Sequence, residues 1–76
     1  MNKQNESKII KENPQLNILI NNGYELEFIN DIYNRLAIIA KNIDFECIVT
    51  HGELYNYSVY SESEINDLIT ENNRIL

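Results

Sequence analysis

Three residues punctuate this chain, Pro14, Gly23 and Gly52, and it holds no other proline or glycine. Elements must stop or turn near them, because these residues break regular backbone most strongly. Pro14 disfavours helical backbone at Asn13, so whatever precedes it ends there. Residues 1–13 are polar, with Ile9 and Ile10 as the only large apolar side chains after Met1. They read as a tail or as a short helix around Glu6 to Glu12. Residues 14–76 are then expected to form a single α+β domain, since 76 residues hold one core.

Around Gly23 the stretch Leu16 to Phe28 has two readings. In the first, Asn21-Asn22-Gly23 is a hairpin loop with Gly23 at its left-handed position. Leu16, Ile18 and Ile20 then share one face with Tyr24, Leu26 and Phe28, and Asn17, Leu19, Glu25 and Glu27 share the other. In the second, Asn13 caps a helix from Pro14 to Asn22, which Gly23 stops. Residue type favours the hairpin, because Ile, Tyr and Phe suit strands and the segment has no Ala or Lys.

From Ile29 to Asn42, the residues Ile29, Ile32, Tyr33, Leu36, Ile39 and Ala40 recur at helical spacing, which predicts a helix. Asn30 is its expected N-cap, and Asp31 with Arg35 an i, i+4 surface pair. Ile38 falls on the polar side of this helix. A second hairpin is predicted around His51-Gly52-Glu53, with Thr50 opposite Leu54. It places Phe45, Cys47, Val49, Tyr55, Tyr57 and Val59 on one face, and Glu46, Ile48 and Leu54 on the other. Ser61 and Glu64 have capping-box spacing for a final helix from Glu62 to Asn73, with Ile65, Leu68 and Ile69 inward. The order ββαββα predicts an antiparallel two-layer sandwich: a four-stranded sheet with two helices on one face.

Charge narrows the function. The net charge is −6, with 12 acidic against 6 basic residues. Direct nucleic-acid binding needs a basic stripe to neutralise phosphates, and the few Lys and Arg are scattered, so no direct nucleic-acid partner is expected. Residues 1–8 are polar and the longest apolar run is Leu36 to Ala40, far short of the ~20 residues of a membrane span. A lone cysteine fits a reducing compartment, which predicts a cytoplasmic protein. Asn and Ile are abundant and Ala, Gly and Pro scarce, as in AT-rich coding sequence from a low-GC bacterium or its phage.

Chemistry-bearing constellations are absent from the sequence. Cys47 and His51 would stand ~13 Å apart on one strand, beyond hydrogen-bond reach. One Cys and one His cannot close a zinc site, and two glycines cannot build a phosphate loop. No cofactor, metal or catalytic residue is therefore expected, and the chain reads as a non-enzyme.

Two surfaces could bind a partner instead. One is the acidic strip Glu64, Asp67 and Glu71 on the last helix, which could imitate phosphates in a basic groove. The other is the sheet face away from the helices, with Leu19, Ile48 and Leu54 among Asn17, Glu25, Glu27, Glu46, Asn56 and Ser58. Solvation alone also accounts for the strip, and an N-terminal segment folded over the sheet also accounts for the patch. The expected function is a small acidic protein-binding module, an inhibitor or modulator of a larger basic protein. Its specific form would be a phage-type inhibitor of a nucleic-acid-processing host protein such as a defence nuclease. The alternative is a structural or regulatory homodimer, joined through the open sheet face or a sheet edge.

Overall fold

The computed structural model of the chain describes residues 3–30, 36–53 and 56–75. Their order is α1 (Lys3–Glu12), α2 (Leu16–Asn21), β1 (Glu25–Asn30), β2 (Leu36–Lys41), β3 (Glu46–Ile48), β4 (Thr50–Glu53), β5 (Asn56–Val59) and α3 (Glu62–Ile75). The class is α+β, as the sequence predicts, but the order ββαββα is not what forms. Three helices accompany a three-stranded sheet, β1-β2-β3, and a separate two-stranded one, β4-β5.

The N-terminal segment is a helix rather than a tail. It ends at Glu12, and Asn13 closes it just before Pro14: both the backbone N–H and the Nδ2 of Asn13 donate to the Ile9 carbonyl at 2.9 Å. After Pro14 the chain turns at once into α2, and here the helical reading displaces the predicted hairpin. Gly23, at φ +87°, carries the left-handed residue that ends a helix. Its N–H donates to Ile20 O at 3.1 Å, and the Tyr24 N–H reaches back to Leu19 O at 3.0 Å. This pair of bonds is the Schellman arrangement, and the apolar contact it favours is available because Leu19 and Tyr24 are both buried. Asn21-Asn22-Gly23 therefore closes a helix instead of opposing two strands. So short a helix owes its stability to packing: Leu16 and Leu19, three apart, bury one face completely.

The predicted helix from Ile29 to Asn42 is likewise replaced. Its first two residues end β1, residues 31–35 lie outside the described residues with the proposed Asp31–Arg35 pair, and Leu36–Lys41 is β2. Strand β2 is central, pairing antiparallel with β1 from Glu25↔Lys41 to Asn30↔Leu36 and with β3 from Lys41↔Glu46 to Ile39↔Ile48. Leu36, Ile38 and Ala40 are buried and Ala37, Ile39 and Lys41 half-buried. A strand apolar on both faces reads as a continuous hydrophobic run, which a helical period also fits. Ile38, the residue that broke the helical stripe, is fully buried in the core. A short turn joins β2 to β3. Asn42 Oδ1 accepts from the backbone N–H of Asp44 and Phe45, at 2.9 and 2.8 Å, and the Asn42 N–H donates to Phe45 O.

The second hairpin forms in a different register. Thr50 opposes Val59, His51 Ser58, Gly52 Tyr57, and Glu53 Asn56. Gly52 is thus inside β4, and the connection is 54–55, outside the described residues. Between β3 and β4 stands Val49, fully buried. Its N–H donates to Ile38 O at 2.8 Å, while its carbonyl accepts from the Tyr60 N–H at 2.9 Å. The strand changes neighbours at this residue, which splits the predicted four-stranded sheet in two.

Helix α3 opens with the predicted capping box: the Glu64 N–H donates to Ser61 Oγ at 3.2 Å and the Ser61 N–H to Glu64 Oε1 at 3.1 Å. Ile65 and Ile69 enter the core, where they join Ile9, Leu16, Leu19, Tyr24, Leu36, Ile38, Ala40 and Val49. All three helices thus share one core with the side of β2 that carries Ile38. Asn72, also buried, donates to the Tyr24 hydroxyl at 3.0 Å and lies 3.6 Å from Cys47 Sγ.

Two predictions follow from these assignments. A Cβ at Gly23 meets no atom within 4 Å, so Gly23→Ala tests the backbone alone; it should cost about 1–2 kcal/mol in urea unfolding, and Gly23→Asn less. Ile38→Ala should cost about 2–5 kcal/mol while Ile48→Ala stays within about 0.5 kcal/mol, whereas a helix over residues 29–42 would leave Ile38 dispensable.

Candidate functional site

Because side chains alternate along a strand, the registers of β1, β2 and β3 decide which residues share the face away from the helices. One cross-strand row holds Glu25, Lys41 and Glu46, the next Glu27, Ile39 and Ile48, and the third Ile29 and Ala37. Leu26, Phe28, Ile38, Ala40 and Cys47 point the other way, towards the core. Ile48 is 57% exposed and Ile29 40%, with Ile39 and Ala37 half-buried between them. Glu25, Glu27 and Glu46 are exposed around this apolar strip. Ile9 packs in the core and Ile10 against it, so α1 does not fold over the face.

Lys41 is the one cation in these rows. Its Nζ donates to Glu27 Oε2 at 3.0 Å. That bond raises the lysine's pKa, with the charges of Glu27, Glu46 and Glu25 adding to it. Three carboxylates against one ammonium leave the face negative. A shallow groove of about 480 Å³ lies at its end, lined by Gly23, Glu25, Lys41, Asn42, Ile43 and Asp44. Two of its lining residues belong to the Glu25–Lys41–Glu46 row, so the groove extends the same acidic border.

The structure gathers Glu25, Glu27, Glu46 and Ile48 on this face. Leu19 is a correction: α2 turns it into the core, where it has no exposed surface. Asn17 goes to α2 with it, and Leu54 lies outside the described residues. Ile29, Ile39, Ala37 and Lys41 join the face unforeseen. The helical reading of 29–42 concealed them, although the unbroken run Leu36–Ala40 with paired β-branched Ile38 and Ile39 was a strand signal.

The acidic strip of α3 is less available. Glu64 Oε2 stands 2.6 Å from His51 Nε2, and the His51 ring stacks on Tyr60 at 4.4 Å between centroids. Glu71 lies 3.5 Å from Arg74, an exposed pair on the same helix. Asp67 alone of the three has no partner among the described residues.

Cys47 and His51 are held apart by separate partners. Cys47 touches Asn72 and His51 touches Glu64, positions ~12 Å apart at helical rise. Among the described residues, no three His, Cys, Asp or Glu cluster to hold a metal ion. Within that set no helix is long and apolar enough to cross a membrane.

No protein-family model matches the chain, no curated protein matches it in sequence, and no solved structure matches it.

One titration is readable from this geometry. The Ser61 N–H, and after it His51, hold the Glu64 carboxyl below the ordinary glutamate range. A lowered pKa in the folded state contributes stability above the ordinary value, about 4.3, and that stability is lost as pH falls through the lowered one. Glu64→Gln should therefore be less stable than the parent at pH ~7, with the gap closing below pH ~4 in urea titrations; a gap constant with pH would remove this role.

Proposed function

We propose that this protein is a non-catalytic binding module that docks through its open sheet face on a larger, basic protein and inhibits or modulates it. The carrying observation is the strip of exposed Ile29 and Ile48 with half-buried Ala37 and Ile39, which no helix among the described residues covers, bordered by Glu25, Glu27 and Glu46 and supplied with a single, already paired cation. An apolar centre with a polar border is how protein interfaces are built. Carboxylates around it select a basic counterpart and speed its approach.

The specific form we favour is a phage-type inhibitor of a nucleic-acid-processing host protein such as a defence nuclease. Such proteins carry basic grooves for phosphates. Carboxylates two apart on a strand repeat every ~6.8 Å, so Glu25 and Glu27 offer a short row of negative charge to such a groove. A homodimer through the same face fits the charge less well. Two-fold stacking sets a surface against its own copy, and each copy carries −6.

The test begins with proteins retained from host lysate at low salt and continues with the purified partner. A basic partner is expected, whose affinity falls about tenfold or more between low and moderate ionic strength. Ile39→Asp and Ile48→Asp should weaken it by a similar factor while circular dichroism stays unchanged. Salt-independent binding, indifference to both substitutions, or a micromolar dimer that Ile48→Asp dissolves would each reject this reading.

A further inference from the structure

The same sheet exposes an edge, and that edge says more about the partner. Strand β1 is terminal in the order β1-β2-β3, and no strand among the described residues pairs with its outer side. An unpaired strand presents a row of N–H and C=O groups that another chain can complete. Proteins guard such edges by shortening them, bulging them, or placing proline or lysine on them. None of these devices is present here. Strand β1 is the longest strand at a sheet edge, it pairs with β2 without a bulge over six consecutive positions, and ELEFIN contains no proline or lysine. Among the described residues the charges on this strand are Glu25 and Glu27, both exposed on one face of the edge. These charges are a selective guard. In an edge-to-edge pair of two copies the glutamates of both chains crowd one face, which like charges oppose. A strand carrying Lys or Arg at those positions meets no such barrier.

The other face of the edge is apolar. Leu26 and Phe28 are half-buried against the core and have cross-strand neighbours on the β2 side only. An added strand with apolar residues opposite them would complete their burial. Alternation then fixes the pattern: basic residues towards Glu25 and Glu27, apolar residues towards Leu26 and Phe28.

We propose that the outer edge of β1 takes up an extended segment of the partner protein as an added strand, and that this segment alternates Lys or Arg with apolar residues. The inference rests on the reading of the chain as a binding module for a basic protein, and it narrows that partner to one with such a segment. Docking on the open face and strand addition at β1 share Glu25 and Glu27, so one partner could use both at once.

Hydrogen exchange read by NMR tests this on the intact protein. The probe is a short synthetic peptide alternating lysine and valine, set against a peptide of the same composition in two blocks and one alternating glutamate and valine. The alternating lysine peptide should slow exchange of the outward amides within residues 25–30 about tenfold or more at saturating peptide. The block and glutamate peptides should not. Glu25→Lys with Glu27→Lys should abolish the effect of the lysine peptide and confer it on the glutamate peptide. Unprotected β1 amides, protection by the block peptide, or protection that survives the double charge reversal would overturn the added strand. A basic, salt-sensitive partner that shields Ile39 and Ile48 yet leaves the β1 amides exchanging would overturn it alone and leave the binding-module reading standing.

Discussion

Val49 gives its N–H to Ile38 and its carbonyl to Tyr60, so one buried residue hydrogen-bonds to β2 on one side and to the end of β5 on the other. Before it the strand belongs to β2; after it, to β5. At the crossover the Ile38 N–H finds the Thr50 hydroxyl at 3.3 Å instead of a carbonyl. That exchange answers the requirement that buried backbone groups be paired. It also ties the second hairpin to the core, since Tyr60 then accepts from Gln15 Nε2 at 2.9 Å and stacks on His51. Start of α2, end of β5 and first turn of α3 are joined through this one place.

The same arrangement explains why one sheet face stays uncovered. Every helix is spent on the Ile38 side: α1 through Ile9, α2 through Leu16 and Leu19, and α3 through Ile65 and Ile69. Among the described residues no helix is left to lay over Ile39 and Ile48. The exposed carboxylates of Glu25, Glu27 and Glu46 border those isoleucines. Under the proposed docking, a partner that brings positive charge would gain both by burying the isoleucines and by answering the glutamates.

How much of this could be read from the residues depended on which period they wrote. The capping box at Ser61 and Glu64 and the inward Ile65 and Ile69 were legible, because α3 is amphipathic at one period only. The alternation of Glu25, Leu26, Glu27 and Phe28 was legible for the same reason. Strand β2 was not: Leu36 to Ala40 is apolar on both faces, and a run without alternation also satisfies a helix. Ile38 was the clue, misplaced on any helical wheel and central in the sheet. Gly23 was ambiguous because a left-handed glycine serves a hairpin loop and a helix end equally, and tertiary packing of Leu19 against Tyr24 decided between them. The acidic border was therefore found with Glu25, Glu27 and Glu46, and of its apolar centre only Ile48, while Ile29, Ala37 and Ile39 were hidden inside a helix that does not form.

The buried Asn72 has a consequence for the order of assembly. Its amide reaches Tyr24 in the linker after α2 and Cys47 in β3, so two distant stretches of chain converge on the last turns of α3. The hairpin of β2 and β3 can close early, because its residues are near neighbours in sequence. The core cannot, since Ile65 and Ile69 complete it and they arrive last. Until α3 docks, the core formed by α1, α2 and β2 lacks Ile65 and Ile69. A nascent chain must hold that half-built core in solution, and here too its surplus of negative charge serves it, by keeping incomplete copies apart.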